Sequence, residues 1–294
     1  MLTSLTPLLS AARASGGGLG AMNVIQIEHA EAIVAGAEQV RRPVVLQISE
    51  NTVTYHRGLE PIARACLAIA KAADVPVCVH LDHAVSLALV DEALDLGIPS
   101  VMYDASRLPY ADNVASTADL ARRCRTVGVS LEAELGEVGG KDGVHAPGVR
   151  TDPGEAASFV AETGVDALAV AVGSSHAMTT RDAHLDEDLI VRLAEAVPVP
   201  LVLHGSSGVS DAGIVAAIAA GITKINIATH LNKVMTAAIR EALADSGSVD
   251  PRKYLGPGRD AVTAEVARLL VLFAPEPSVS GALTPTTSAP HSPG

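Results

Sequence analysis

The sequence predicts a single-domain α/β fold, a (β/α)₈ TIM barrel, on three observations. Eight short apolar or β-branched runs recur along the chain, and stretches of helical period separate them. Strands that alternate with helices form a parallel sheet. Eight such units within about 250 residues match a closed barrel, because an open sheet usually holds fewer strands. No GxGxxG run follows the first strand, which argues against a dinucleotide-binding fold.

The predicted strands are short, and the helices between them carry recognisable ends. In chain order the strands are AMNVI (21–25), VVLQIS (44–49), VCVHLDH (77–83), SVMYD (100–104), SLEAEL (130–135), ALAVAVG (167–173), LVLHG (201–205) and KINIAT (224–229). Gly97 and Gly128 stand just ahead of strands, where a glycine ends the preceding helix. Segment 59–73 has an amphipathic pattern with Pro61 in its first turn. Its apolar face consists of Leu59, Ile62, Ala63, Cys66, Ile69 and Ala70.

Composition limits the classes of function. The chain has 294 residues, 48% of them hydrophobic, with a net charge of −12 and 2% aromatic residues. Nucleic-acid binding is disfavoured, because it needs a basic surface and often stacking rings. The scattered cysteines Cys66, Cys78 and Cys124 predict ordinary thiols in a reducing compartment. No apolar run reaches the roughly 18 residues of a membrane helix, and no signal peptide is evident, so we expect a cytoplasmic protein.

Two segments differ in composition from the barrel units. Residues 273–294 are rich in Pro, Ser, Thr and Gly, so we expect residues 1–272 to form the barrel domain and the remainder a disordered tail. The Gly-rich stretch 136–149 follows the fifth strand, and its length favours a mobile lid. Asp142 lies on this stretch.

Polar residues follow the apolar strands at the end where a barrel carries its chemistry. They are Asp82, His83, Asp104, Glu134, His176, His204, Asn226 and Thr229. Any single one is explained as a helix cap or a rim residue, but together they converge on one rim. The imidazoles of His83, His176 and His204 match a catalytic zinc site with an open fourth position. Asp104 and Glu134 either orient those imidazoles or bind a second divalent cation.

One point of strand geometry stays open at this stage. Side chains alternate faces along a regular strand, so Asp82 and His83 cannot both point into the barrel. Either the chain bends at His83, or the ligand is His80, which shares a face with Asp82. We favour His83, because the strand is expected to end there.

The loops after strands seven and eight predict a phosphate site. They carry Gly205, Ser206 and Ser207 on one side and the segment Asn226, Ile227, Ala228 and Thr229 on the other. Barrels bind phosphate here through backbone N–H groups and a helix N-terminus. The alternative is a plain flexible turn. A sugar-phosphate barrel activates a carbonyl through a lysine imine or a metal. Among the lysines only Lys224 lies on a strand, and we place it at the strand entry, so the metal route is favoured.

Spaced motifs resemble a known family from about residue 5 to residue 272. The motifs HLDH (80–83), EAELGEVGG (132–140), AVGSSH (171–176), LVLHGSSG (201–208), KINIAT (224–229) and DPRKYLGPGRDA (250–261) resemble the class II, metal-dependent ketose-bisphosphate aldolases. The resemblance implies a zinc-dependent (β/α)₈ barrel. It also implies reversible cleavage of fructose or tagatose 1,6-bisphosphate to dihydroxyacetone phosphate and glyceraldehyde 3-phosphate, in a homodimer or homotetramer.

The resemblance also implies roles for individual residues. His83, His176 and His204 would bind zinc, with Asp104 and Glu134 near a second metal position. Asp82 would be the acid/base at the aldehyde oxygen, and Asp142 the base on the lid. The substrate-binding residues would be Asn23, the segments Gly205, Ser206, Ser207 and Asn226, Ile227, Ala228, Thr229, and Arg259 at the distal phosphate.

The chain departs from the family pattern at three positions. Ala177 stands where Gly is usual, Asp142 where Glu is usual, and Met22 where Phe is usual. Two alternatives therefore stay open. One is an aldolase for another ketose phosphate, and the other is a barrel that binds sugar phosphate without catalysis.

Overall fold

A computed structural model describes residues 1–135, 150–174, 180–244 and 247–275 and confirms the barrel. Eight parallel strands close in sequence order, and the first strand pairs with both the second and the eighth. The strands are β1 (Leu19–Asn23), β2 (Val44–Ser49), β3 (Val77–Ala84), β4 (Ser100–Tyr103), β5 (Ser130–Glu134), β6 (Ala167–Ala169), β7 (Leu201–Leu203) and β8 (Ile222–Ile227). Each predicted strand exists, with bounds that shift by a few residues.

The helices pack outside the strands, as the βα repeat predicts. They are α1 (Leu5–Ser15), α2 (Ile27–Val40), α3 (Glu50–His56), α4 (Glu60–Ala72), α5 (Leu87–Asp95), α6 (Tyr110–Val127), α7 (Pro153–Thr163), α8 (Glu187–Ala196), α9 (Asp211–Ala220), α10 (Thr229–Ala244) and α11 (Arg252–Leu272). The short helix α3 was not predicted. Its first turn forms because the Ser49 hydroxyl accepts a hydrogen bond from the Thr52 N–H at 3.3 Å.

Two apolar layers hold the barrel together. The larger lies between the strands and the surrounding helices. The smaller fills one end of the barrel interior, where Leu5, Leu8 and Leu9 of α1 pack against inward side chains such as Val45 and Met102. Helix α1 therefore closes the barrel at the end opposite the carboxyl ends of the strands. The end that α1 covers is filled by apolar packing, and the end at which the strands have their carboxyl ends is available for a functional site.

Several local predictions are confirmed. Helix α4 buries Ile62, Ala63, Cys66 and Ala70, and Gly128 ends α6 in the left-handed region at φ 73°. All three cysteines are buried free thiols.

The first residues of the predicted tail belong to the described part of the chain. Phe273, at its predicted start, is buried in the core next to α11, and residues 276–294 lie outside the described part. Within that described part, no helix combines the length and apolarity that crossing a membrane would require.

Candidate functional site

A cavity of about 590 Å³ opens at the carboxyl ends of the strands. Residues of β1, β2, α3, β3 and β8 and of the loops after β3, β4, β7 and β8 form its wall. The lining residues are Asn23, Gln47, Ser49, Glu50, Asn51, Thr54, Asp82, His83, Val85, Asp104, Arg107, Gly205, Ser207, Asn226, Ala228 and Thr229. Most of the residues singled out from the sequence therefore meet in one place.

The chain bends at His83, as favoured from the sequence. His83 has φ 51°, in the left-handed region that non-glycine residues rarely occupy, and the register of β3 against β4 shifts between Leu81 and Ala84. The bend lets consecutive residues Asp82 and His83 both face the cavity. His80, the alternative, is fully buried below them, with Nδ1 2.7 Å from the Ser100 hydroxyl. Backbone strain at a functional site of this kind is sustained by the surrounding structure.

His83 and His204 come together although 121 residues separate them. Nε2 of His83 lies 2.9 Å from Nδ1 of His204, and Nδ1 of His83 lies 3.2 Å from Oδ2 of Asp104. Two overlapping groups result, Asp82–His83–His204 and His83–Asp104–Glu134, and within each the potential ligand atoms lie within 4.8 Å of one another. Oδ1 of Asp82 is buried without a hydrogen-bond partner among the described residues.

The carboxylates make this corner strongly negative. Burial by itself lowers the pKa of His83, but Asp82, Asp104 and Glu134 outweigh burial and raise it to about 10. Burial opposes ionisation of Asp104 as well, yet its hydrogen bonds with His83 and Ser106 lower its pKa to about 2. The negative charge that favours the protonated form of His83 also favours the binding of a divalent cation at this corner.

The donor set fits a transition-metal ion. Imidazole nitrogens combined with a carboxylate are the ligands that such ions take in catalytic sites. Nε2 of His83 and Nδ1 of His204 lie 2.9 Å apart, and Asp82, whose Oδ1 has no hydrogen-bond partner among the described residues, offers a carboxylate oxygen to the same group. The third predicted histidine, His176, lies outside the described residues, as does Asp142.

A charged network lies under the histidine pair, inside the barrel. Oε1 of Glu132 lies 3.0 Å from Nε2 of His204, and Nζ of Lys224 lies 2.8 Å from Oε2 of Glu132. All three side chains are fully buried. The expectation that Lys224 stands at the strand entry was wrong, because β8 begins at Ile222 and Lys224 points into the barrel interior. Its ammonium group forms an ion pair with Glu132 below the cavity.

The loops after β7 and β8 meet beside the metal corner. Gly205 takes φ 67°, which turns the chain into a short 3₁₀ segment at Ser206–Gly208. The hydroxyl of Ser207 accepts from the N–H groups of Ala228 at 3.4 Å and of His230 at 3.3 Å, which ties this turn to the start of α10. The turn and the helix N-terminus thus form one wall of the cavity.

Three predicted substrate-binding residues do not line the cavity. The Ser206 hydroxyl is buried and donates to the carbonyl of Asn226, and Ile227 is part of the apolar core. Arg259 lies on α11, where its guanidinium donates to Glu31 at 3.0 Å. Within this chain, the buried side chains of Ser206 and Ile227 support the loops from the protein interior. Arg259 lies outside the cavity wall.

Sequence reasoning missed residues of β2 and of the loop after β4. Gln47 donates to the side-chain oxygen of Asn23 at 3.0 Å, and Ser49 ends the same strand. A polar residue inside the apolar run VVLQIS is a signal that could have identified Gln47. Arg107 is the single lysine or arginine among the described residues that line the cavity. No motif marked it.

Comparisons with known proteins agree with this geometry. The family model for fructose-bisphosphate aldolase class II matches residues 3–276. The chain belongs to this family. Its relatives include the fructose-bisphosphate aldolase of Giardia intestinalis, 38% identical over 290 residues, which cover 89% of this chain and 90% of that protein. The fructose-bisphosphate aldolase of Thermus caldophilus is 38% identical over 301 residues, 93% and 98% of the two chains.

A solved structure extends the similarity to three dimensions. The YdjI aldolase from Escherichia coli K12 superposes with a TM-score of 0.84 at 32% sequence identity and covers 94% of this chain and 98% of its own. As a class II aldolase, this protein is a carbon–carbon lyase with a parallel (β/α)₈ barrel. Class II aldolases depend on a metal, and the groups around His83 are the ones that the described residues offer for it.

Proposed function

We propose that this aldolase reversibly cleaves a ketose 1,6-bisphosphate, foremost fructose 1,6-bisphosphate, to dihydroxyacetone phosphate and glyceraldehyde 3-phosphate with Zn²⁺ as its metal. One observation carries the proposal. Asp82 and His83 of the metal corner line the same cavity as Gly205 and Ser207 of the turn after β7, so a metal centre and an anion site lie close together. The names of the similar proteins from Giardia and Thermus support fructose bisphosphate as the substrate.

His83, His204 and His176 are the proposed zinc ligands, with Asp104 and Glu134 as the residues nearest a second cation position. A bound zinc ion would supply a Lewis acid for a carbonyl oxygen. The carboxylate of Asp104 keeps His83 in place through its contact with Nδ1 at 3.2 Å. Ser174 fixes the backbone of His204 by donating to its carbonyl at 2.6 Å. These contacts orient the two imidazoles in advance, which limits the reorganisation needed for binding.

Asp82 is the proposed acid/base at the aldehyde oxygen. Its side chain is 3% exposed, lines the cavity and leaves Oδ1 without a hydrogen-bond partner among the described residues. An oxygen so placed can deliver a proton to a substrate atom and take it back. The proposed base for the other proton transfer is Asp142, on the stretch that follows β5.

The phosphate next to the ketone is proposed to bind at the turn after β7 and the start of α10. Gly205 has no side chain to block a close approach, and Ser207 and Thr229 offer hydroxyl groups to the cavity. The N-terminus of α10 adds the positive end of a helix dipole. Asn23 and Asn226 complete this side with amide groups.

The distal phosphate has two candidate cations. Arg107 lines the cavity, whereas Arg259, which the family resemblance favours, pairs with Glu31 on α11. The variants Arg107→Gln and Arg259→Gln form a matched pair that separates them. The variant that loses the phosphate contact is expected to raise KM for the bisphosphate at least tenfold, while kcat for condensation changes less.

The proposed function is tested by measuring bound metal and aldol cleavage on the same preparation. The purified chain is expected to contain zinc, to cleave fructose 1,6-bisphosphate in preference to tagatose 1,6-bisphosphate, and to lose activity on chelation until zinc is restored. Preference for tagatose bisphosphate would correct the substrate. Tight sugar-phosphate binding without cleavage in zinc-loaded protein would overturn the catalytic proposal in favour of a non-catalytic barrel.

A further inference from the structure

The buried network of Lys224, Glu132 and His204 has no role in the proposed proton transfers, although it lies directly beneath the metal corner. The chain of contacts runs from Nζ of Lys224 to Oε2 of Glu132 at 2.8 Å, and from Oε1 of Glu132 to Nε2 of His204 at 3.0 Å. Each of the three side chains is 0% exposed. The network therefore uses both carboxylate oxygens of Glu132, one for each neighbour.

Stability by itself gives no good reason for such a pair. Removing a carboxylate and an ammonium group from water costs several kcal/mol per ion, and apolar replacements of similar volume are often neutral or stabilising. Val202 and Met102 line this part of the barrel interior, and so do His80 and Ser100, which contact each other at 2.7 Å. Glu132 has two buried imidazole neighbours, His204 at hydrogen-bond distance and His80 at 3.8 Å, and of these two only His204 belongs to the metal corner.

The contacts fix which nitrogen of His204 carries hydrogen. A carboxylate oxygen only accepts, so Nε2 of His204 must donate to Glu132. The neutral ring then has its lone pair on Nδ1. That atom faces His83 Nε2 at 2.9 Å, inside the group of potential ligand atoms.

Lys224 secures this arrangement from the other side. An ammonium group donates and cannot accept, so it can contact only an acceptor atom of Glu132. By holding Oε2, Lys224 keeps Oε1 directed at His204. Burial raises the pKa of Glu132, but Lys224 and the hydrogen bond from His204 together with the nearby imidazoles lower it overall, which favours a carboxylate that accepts on both oxygens.

We propose that Glu132 and Lys224 are positioning residues that hold His204 in the Nε2–H tautomer, with Nδ1 directed at the metal. The proposal rests on the proposed zinc site, but it concerns residues that neither touch the metal nor reach the cavity. A carboxylate that accepts from a metal-binding imidazole typically changes metal affinity by about 10–100-fold when it is removed.

Two double variants separate a positioning role from a structural one. Glu132→Gln/Lys224→Met keeps an acceptor for Nε2, while Glu132→Met/Lys224→Met removes it. Both lack the buried charges, and Gln and Met have similar length and shape. Zinc-loaded full-length protein is titrated with a competing chelator. The Gln variant is expected to hold zinc within about threefold of the wild type and the Met variant about 10–100-fold more weakly.

Ser130→Ala serves as the control on the same strand as Glu132. It removes a hydroxyl that contacts Thr6 at 2.7 Å and that makes no contact with Lys224 or His204 among the described residues, so zinc affinity is expected to stay unchanged. Thermal unfolding of each zinc-free variant, followed by circular dichroism, reports whether the variants are folded. Equal zinc affinity in the two double variants, at any level, overturns the positioning role.

A second measurement needs no variant to fold. Nitrogen-15 NMR of histidine-labelled, metal-free wild-type protein reports the tautomer of His204, with Nε2–H as the expected result. A proton on Nδ1 overturns the proposal. A wild-type chain that binds no zinc would instead overturn the proposed function, so the two failures are distinguishable.

Discussion

Replacing Asp82 by Asn removes one negative charge from the metal corner and preserves the shape of the side chain. Asp82 is buried, lines the cavity and lies within 4.8 Å of the potential ligand atoms of His83 and His204. Asn cannot donate and recover a proton at the aldehyde oxygen. We therefore expect the variant to bind zinc and lose turnover.

The position of Asp82 gives the expected size of two effects of the substitution, one on kcat and one on the pKa of His83. Loss of a general acid/base lowers kcat by about 10²–10⁴-fold, which is about 3–5 kcal/mol in the activation free energy. Two unit charges no more than 4.8 Å apart interact by at least about 3.5 kcal/mol at an effective dielectric constant of about 20. Without metal, the pKa of His83 is therefore expected to fall clearly from its raised value of about 10.

Steady-state cleavage of fructose 1,6-bisphosphate, zinc content and an NMR titration of His83 in metal-free protein test these expectations together. Asp166→Asn is the matched control, because its carboxylate accepts from the Leu131 N–H at 2.8 Å near the opposite end of the barrel. A zinc-loaded Asp82→Asn variant with kcat within a factor of three of the wild type would refute the role of Asp82. A His83 pKa that does not move would refute the electrostatic reasoning.

The remaining predictions concern the cavity, the pH dependence and the core. Arg107→Gln is expected to raise KM for the bisphosphate about tenfold with little change in metal content; an unchanged KM, measured by steady-state kinetics, would remove Arg107 from the substrate site. In metal-free protein the pKa of His83 is raised from 6.5 to about 10, so protonated His83 stabilises the folded state. This stabilisation is complete below pH 6.5 and is lost as the pH rises towards 10. Urea unfolding should therefore show a loss of about 2 kcal/mol between pH 7 and 8.5, and His83→Asn should remove most of that slope. Phe159→Ala, in the buried face of α7, is expected to cost about 3–5 kcal/mol in the same measurement while zinc stays bound; a cost below about 1 kcal/mol would contradict its place in the core.

The order of the elements could be predicted because each strand and helix carries its own local pattern. The run VVLQIS coincides with β2, and the apolar face of segment 59–73 coincides with the buried face of α4. Burial of apolar side chains at a fixed period depends on neighbours in sequence, so the sequence reports it directly. Helix α3 was missed because it is short and is stabilised mainly by the Ser49 cap.

The site was predicted only as far as strand ends and family motifs could indicate it. Asp82, His83, Asp104 and His204 meet as expected, because the carboxyl ends of parallel strands lie on one rim. Ser206 and Ile227 were included by their neighbourhood in sequence and Arg259 by the family resemblance, and none of the three lines the cavity. A contiguous motif does not specify which of its side chains turn inward.

The amino-acid sequence by itself determined the number of strands and the closed barrel, since these follow from local periodicity. It also determined the rim that carries the site, because polar residues follow several of the apolar strands. Only the tertiary structure decided that His83 takes a left-handed conformation and that Lys224 lies under His204 against Glu132. Those contacts join residues up to 92 positions apart, as Glu132 and Lys224 are. Barrel closure fixes such pairs through the register of the strands, and no local pattern records it.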